Sequence, residues 1–403
     1  MGTRGKLAIG AMLLTCLVTV ALVTGCTAPS STTSTTSTGT TGAAKEPVKI
    51  GAVVSLTGSY AGLGAGEKTA LEMEVAKINA AGGINGRQVQ LIIEDDATDA
   101  AKAQASATKL IDQDKVVAIV GATGTGQTMG MRGDVKRAGI PQVSMAGGTA
   151  ITKPVDPLVF ATPWSNGIVV PFELQHMKDK GYKKVAMISD SGGFGKDGAA
   201  VFKANLPKYG MTLVSEQTFN VGDTDMTAQM TKIKAANPDV VVLVSAGKEA
   251  ATVAKEHQSL GIKAPLVGTH GNARQQFIDG AGTAAEGFTF AAGKILIPST
   301  YGTGTPEFTT AEDFITRFKA ASGGKAPDTF AGHAYDAINI VANAAKNVTG
   351  DLTPAALRDA IEKTAGFIGI GGTFTFSPTD HTGMTEKDLV MYEIKDGKWQ
   401  LAQ

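Results

Sequence analysis

The chain has 403 residues, 43% of them hydrophobic, which is enough for two domains that each bury a core. Its 37 basic and 37 acidic residues cancel, and no basic run breaks that balance, so nucleic acid is excluded as the expected partner. With 50 glycines against 2 tryptophans, the chain reads as rich in tight turns and poor in aromatic platforms.

At the N-terminus, Arg4 and Lys6 precede an apolar run from Leu7 to Val23. A basic start, a short apolar core and small residues form an export signal, predicted over 1–25. Val23-Thr24-Gly25-Cys26 resembles a lipobox, with valine where leucine is usual, and this implies cleavage before Cys26 and lipidation of its thiol. A plain signal or an uncleaved anchor remains open. Once Cys16 has left and Cys26 carries lipid, the folded part has no cysteine for a disulfide or a nucleophile. Ser, Thr, Gly, Ala and Pro dominate Thr27 to Thr41, and the segment 26–46 reads as a flexible tether.

From Val48 onward, strand and helix patterns alternate. Val48-Lys49-Ile50-Gly51-Ala52-Val53-Val54 has no wet face, as a parallel strand buried on both sides requires. Leu71, Val75 and Ile78 follow at helical spacing, and Gly82-Gly83 stops that helix. The strand ending at Glu94 leads to Asp95 and Asp96, read as structural caps, then to a helix over Ala100 to Ile111 and a strand over Val116 to Val120. The loop Thr123-Gly124-Thr125-Gly126-Gln127-Thr128 comes next. A short strand at Gly139 to Ser144 precedes the loop Met145-Ala146-Gly147-Gly148-Thr149. The order restarts after Trp164, with strands at Lys184 to Ser189, Leu213 to Thr218 and Asp239 to Val244. Strand–helix alternation repeated in this way predicts an α/β fold of two doubly wound parallel-sheet lobes. Helices are expected at Ala311 to Ala321, around Tyr335 and Ile338, and at Pro354 to Lys363, and two apolar runs around Asp396-Gly397 suggest a terminal hairpin.

Ligands of open parallel sheets sit beyond the carboxyl ends of the strands, near backbone amides and helix N-termini. The Thr123 to Thr128 loop has that place, and its glycines and hydroxyls suit a carboxylate. The spacing Gly124, Gly126, Gly130 is one residue too long for a dinucleotide fingerprint and follows the wrong strand.

The run Ile78-Asn79-Ala80-Ala81-Gly82-Gly83-Ile84-Asn85-Gly86-Arg87, followed by Val89 to Asp96, resembles the leucine/isoleucine/valine-binding protein family of bacterial solute receptors. That resemblance covers the chain from Val48 to its end. It implies two hinge-closing lobes joined by three crossings, near Trp164, Ala292 and Gly371, so that 47–163 plus 293–371 form one lobe and 164–292 plus 372–403 the other. It maps a carboxylate-binding hydroxyl onto Thr125 and backbone contacts onto Ala146 and Gly148, with Thr149 as a substitute for the hydroxyl missing at Gly148. Thr123, Tyr60 and Phe330 become wall residues, and Phe194 a ring stacked on the ligand from the opposite lobe. Where amino-acid receptors of the family hold the ligand's ammonium with a carboxylate, this chain has His270. That departure favours an acid without an amine, which His270 would contact, or else Asp190 or Glu249 supplies the charge.

Catalysis finds no support: there is no Gly-x-Ser-x-Gly elbow, and the five histidines show no metal-binding spacing. No cofactor and no metal are expected. What the resemblance implies is a monomeric lipoprotein, outside the cytoplasm, that hands a small carboxylate or amino acid to an ABC permease. The alternative is a sensor domain serving a membrane kinase or chemoreceptor.

Overall fold

The computed structural model describes residues 45–402, so the export signal, Cys26 and most of the tether lie outside the described residues. The first sheet forms from β1 (Val48–Val54), β2 (Val89–Asp95), β3 (Ala118–Gly121), β4 (Gln142–Ser144) and β5 (Val159–Ala161), in the order β2-β1-β3-β4-β5 and parallel throughout. Helices α1 (Ala61–Ala80), α2 (Ala100–Asp112) and α3 (Thr125–Ala138) make its crossovers. The residues of β1 are almost wholly buried, which is why its sequence has no polar face.

The glycine-broken turn after α1 is structural. Gly82, Gly83, Asn85 and Gly86 all have positive φ, and a Cβ on Gly83 would stand 2.0 Å from the Arg87 carbonyl oxygen. Asn79 closes the turn by pairing its side chain with both backbone groups of Val89, at 2.7 and 2.9 Å.

The chain crosses after β5 and builds the second sheet from α4 (Asn166–Asp179), β6 (Lys184–Asp190), α5 (Gly193–Asn205), β7 (Thr212–Phe219), α6 (Thr227–Ala235), β8 (Val240–Val244), α7 (Glu249–Ser259), β9 (Leu266–Val267), α8 (Gln275–Ala281) and β10 (Thr289–Gly293). It then returns to the first lobe as α9 (Pro306–Ala321), α10 (Thr329–Lys346), α11 (Pro354–Glu362) and the short pair β11 (Phe367–Ile368) and β12 (Thr373–Phe374). Strands β13 (Leu389–Lys395) and β14 (Lys398–Leu401) finish the second sheet, whose order is β14-β13-β10-β9-β8-β6-β7. Asp396 and Gly397, both at positive φ, make the hairpin turn between them. This sheet is therefore mixed: β6 to β10 are parallel, while β13 runs antiparallel to β10.

Two placements differ from the sequence reading. The crossing expected near Gly371 lies just before Leu389, because Phe374, Phe376 and Met384 bury their side chains in the first-lobe core. Phe376 packs 5.2 Å from Phe160, His381 stacks on Phe160 at 4.0 Å, and the Asp336 carboxylate accepts from the Ile370 and Gly371 amides at 2.6 and 2.8 Å. Asp95 and Asp96 do not cap α2, a role taken by Asp99, which accepts from Lys102 N at 2.8 Å. Instead Asp95 accepts from Leu56 and Thr57, and Asp96 from Ser55 and Thr98, so both fasten the loop after β1.

No helix among the described residues is long and apolar enough to cross a membrane.

Candidate functional site

The loops at the carboxyl ends of the two sheets meet around a small closed cavity of about 20 Å³. The first lobe contributes Tyr60, Leu63, Thr123, Thr125, Met145, Ala146, Gly147, Pro163, Phe330 and His333; the second contributes Phe194, Ala246, His270 and Gly271. Seven residues singled out from the sequence, Tyr60, Thr123, Thr125, Ala146, Phe194, His270 and Phe330, are thus brought together around one space.

Two helices begin at this cavity on glycine caps that provide no side-chain acceptor: α3 after Gly124 and α5 after Gly192. Thr125, expected in a loop, is the first residue of α3. The two helix starts nearly touch, for a Cβ on Gly193 would lie 2.5 Å from the Gly126 nitrogen. The start of α3 makes its end of the cavity favourable for an anion, whereas the start of α5 is already met by the Asp190 carboxylate.

Several buried polar atoms in the lining have no partner within the protein: Thr125 Oγ1, both ring nitrogens of His270, and His333 Nδ1. These residues are 3%, 6% and 3% exposed, so bulk solvent does not reach them. Burial lowers the pKa of both histidines to about 3, and each is therefore a neutral imidazole with one donor and one acceptor nitrogen. Their rings are held by aromatic edges, His270 against Phe194 at 5.2 Å, and His333 between Trp164 at 5.6 Å and Phe330 at 6.2 Å. His270 Nε2 faces Gly147, where an added Cβ would come within 2.3 Å of it.

Other expected contacts are already engaged. Thr123 lines the cavity, yet its hydroxyl donates to Glu67 at 2.5 Å and accepts from Ser55 N at 2.9 Å. The Ala146 amide donates to Ser144 Oγ at 3.1 Å. Burial keeps the Tyr60 phenol protonated by raising its pKa well above the ordinary value.

Gly148 and Thr149 stand outside the lining. Gly148 lies behind Thr125, where an added Cβ would meet Thr125 Cγ2 at 2.3 Å, and the Thr149 hydroxyl turns away to accept from Gly167 N at 2.8 Å. Asp190 and Glu249 are also outside it: Asp190 accepts from Gly192 N at 2.9 Å, with its pKa raised to about 6 chiefly by burial, and Glu249 accepts from Ser59 and Gly222. The lining therefore contains no carboxylate.

His333 went unnoticed in the sequence as a wall residue. Its signal was its place three residues after Phe330 on a helix, which puts both on one face.

The lobes are closed on each other. Ser59 donates to Glu249, Lys248 N donates to Ser59 O at 3.3 Å, and Asp197 on α5 accepts from the Thr149 and Ala150 amides at 2.8 and 3.1 Å.

This architecture of two α/β lobes closed over a shared lining is that of solute receptors. A family model described as periplasmic binding protein matches residues 47–398, and the chain belongs to that family. A Leu/Ile/Val-binding protein homologue of Brucella melitensis is 29% identical over 361 residues, covering 88% of this chain and 94% of the relative. Among solved structures, an extracellular ligand-binding receptor from Rhodopseudomonas palustris superposes with a TM-score of 0.83 at 29% identity, covering 88% of this chain and 99% of its own. The substrate-binding protein LivJ from Streptococcus pneumoniae, solved with isoleucine, superposes with a TM-score of 0.78 at 28% identity, covering 89% of this chain and 99% of its own.

Proposed function

We propose that this chain is the extracytoplasmic receptor of an ABC importer of the branched-chain amino acid type, held at the membrane by lipid on Cys26, and that its solute is a small carboxylate without an ammonium group. The relatives' names and the isoleucine held by the pneumococcal structure support the class of receptor. The observation that carries the choice of solute is the lining itself: Thr125 and the start of α3 suit a carboxylate, while no Asp or Glu faces the space where an ammonium would lie. An ammonium taken from water into such a site without a counter-charge is costly.

Closure would follow binding to the Thr125 side, with Phe194 and His270 arriving from the second lobe. Because the ligand touches both lobes only in the closed form, it favours that form, and a permease that recognises the closed shape reads occupancy.

Thermal denaturation with leucine and with its deaminated analogue 4-methylpentanoate tests this reading. At 100 times its dissociation constant a ligand adds about 2.7 kcal/mol to stability. The expected result is a raised melting temperature with the acid and none with leucine; the reverse pattern would sink the assignment.

A further inference from the structure

The anion site leaves two imidazoles unexplained. A carboxylate at Thr125 and the start of α3 needs at most one N–H from a histidine, whereas His270 has two unpartnered nitrogens and His333 has one. Each neutral ring carries one donor and one acceptor, so at least one acceptor nitrogen must be met by a hydrogen that a bare carboxylate does not have. The cost of leaving such a buried group unpaired is what turns it into a selector.

Position narrows the chemistry further. His270 Nε2 faces Gly147, the neighbour of Gly148, which in turn backs onto the Thr125 side chain, so the imidazole stands beside the carboxylate position rather than at the far end of the solute. His333 comes from the opposite lobe and lines the same small cavity as His270.

Resting on the carboxylate reading above, we infer that the solute is a 2-hydroxy acid whose hydroxyl sits between His270 and His333, accepting from one ring and donating to the other. A hydroxyl is the smallest neutral group that does both. Two aromatic flanks, Trp164 and Phe330, fix the His333 ring so that it cannot turn away from that role.

Calorimetric titration of the full chain in detergent with an isosteric series tests the inference: 2-hydroxy-4-methylpentanoate, 4-methylpentanoate and leucine. The hydroxy acid is expected to bind at least ~10-fold more tightly than the unsubstituted acid, as a site built around a hydroxyl should. Equal affinity for the two acids overturns the inference and leaves the carboxylate reading standing; tightest binding by leucine, or binding by none of the three, overturns both. His333→Phe is expected to bring the hydroxyl preference down to within about threefold of unity, whereas His333→Gln, which keeps a donor and an acceptor, retains it. A preference unchanged in His333→Phe would also overturn the role given to this ring. Should His333→Phe fail to fold, His270→Phe is read in the same way.

Discussion

Ser59 donates its hydroxyl proton to Glu249 Oε2 at 2.5 Å, tying the start of the first lobe's α1 to the start of the second lobe's α7 across the cleft. Both residues are buried, and the second acceptor oxygen of Glu249 is held by Gly222 N at 2.8 Å. The pair exists only when the lobes are closed, so it contributes to ligand affinity and not to the fold of either lobe. A hydrogen bond to a charged group is worth about 1.5–3 kcal/mol. Ser59→Ala is therefore expected to weaken ligand binding roughly 10- to 100-fold while the ligand-free melting temperature stays within a degree or two of wild type. Calorimetric titration and thermal melts on the same sample separate the two quantities; a loss of stability without loss of affinity would place the bond in the fold instead.

Gly193 offers a steric test of closure. An alanine methyl there would sit 2.5 Å from Gly126 N and 2.8 Å from Gly126 Cα, which are rigid backbone atoms of the other lobe. Within its own helix alanine is, if anything, the better residue. Gly193→Ala should leave ligand-free stability intact, hold the lobes apart, and reduce affinity by tenfold or more. Small-angle scattering before and after ligand is the measurement: compaction equal to wild type would show that the lobes tolerate the methyl.

Thr125→Val keeps the shape of the side chain and removes the unpartnered hydroxyl. Because Oγ1 makes no bond within the protein, the substitution should not destabilise the chain. Its expected effect is a loss of about 1–3 kcal/mol in carboxylate binding, appearing as faster dissociation in stopped-flow displacement.

His333 also makes stability depend on pH. Its folded-state pKa of about 3, set first by burial and then by His270, lies below the ordinary value of about 6.5. Between those values the unfolded chain binds the proton and the folded chain does not, so stability is lost as pH falls from about 6.5 toward 3. His333→Gln removes one such proton. Denaturant titrations at pH 6.5 and 4.5 should find the variant losing about 2 kcal/mol less than wild type over that interval. An identical loss in both proteins would mean that His333 is protonated in the folded state.

The alternation of strands and helices was readable because parallel strands buried on both faces must be continuous apolar runs, and β1 and β8 are such runs. Thr125 was readable for a related reason: the loop after a buried strand has only one place to go. The third crossing was hidden, since β11 and β12 are two residues each and carry no periodicity, and only packing ties Phe374 and Phe376 to the first lobe. Local sequence was equally silent on Thr149, whose hydroxyl points to Gly167 because of how the first crossing runs. His333 needed the path of α10 through the core before its ring could be placed at the cavity.

The meeting of α3 and α5 has a consequence for the empty receptor. The start of α3 carries the equivalent of roughly half a positive charge, while Asp190 has already met the start of α5, and closure presses the two helix ends together with only glycine between them. Closure therefore takes the α3 pole out of water without giving it a counter-charge, which disfavours shutting an empty cleft. On the carboxylate reading, a bound anion would supply that counter-charge. The charge of such a cargo would then be the trigger for shutting, whatever the shape that follows behind it.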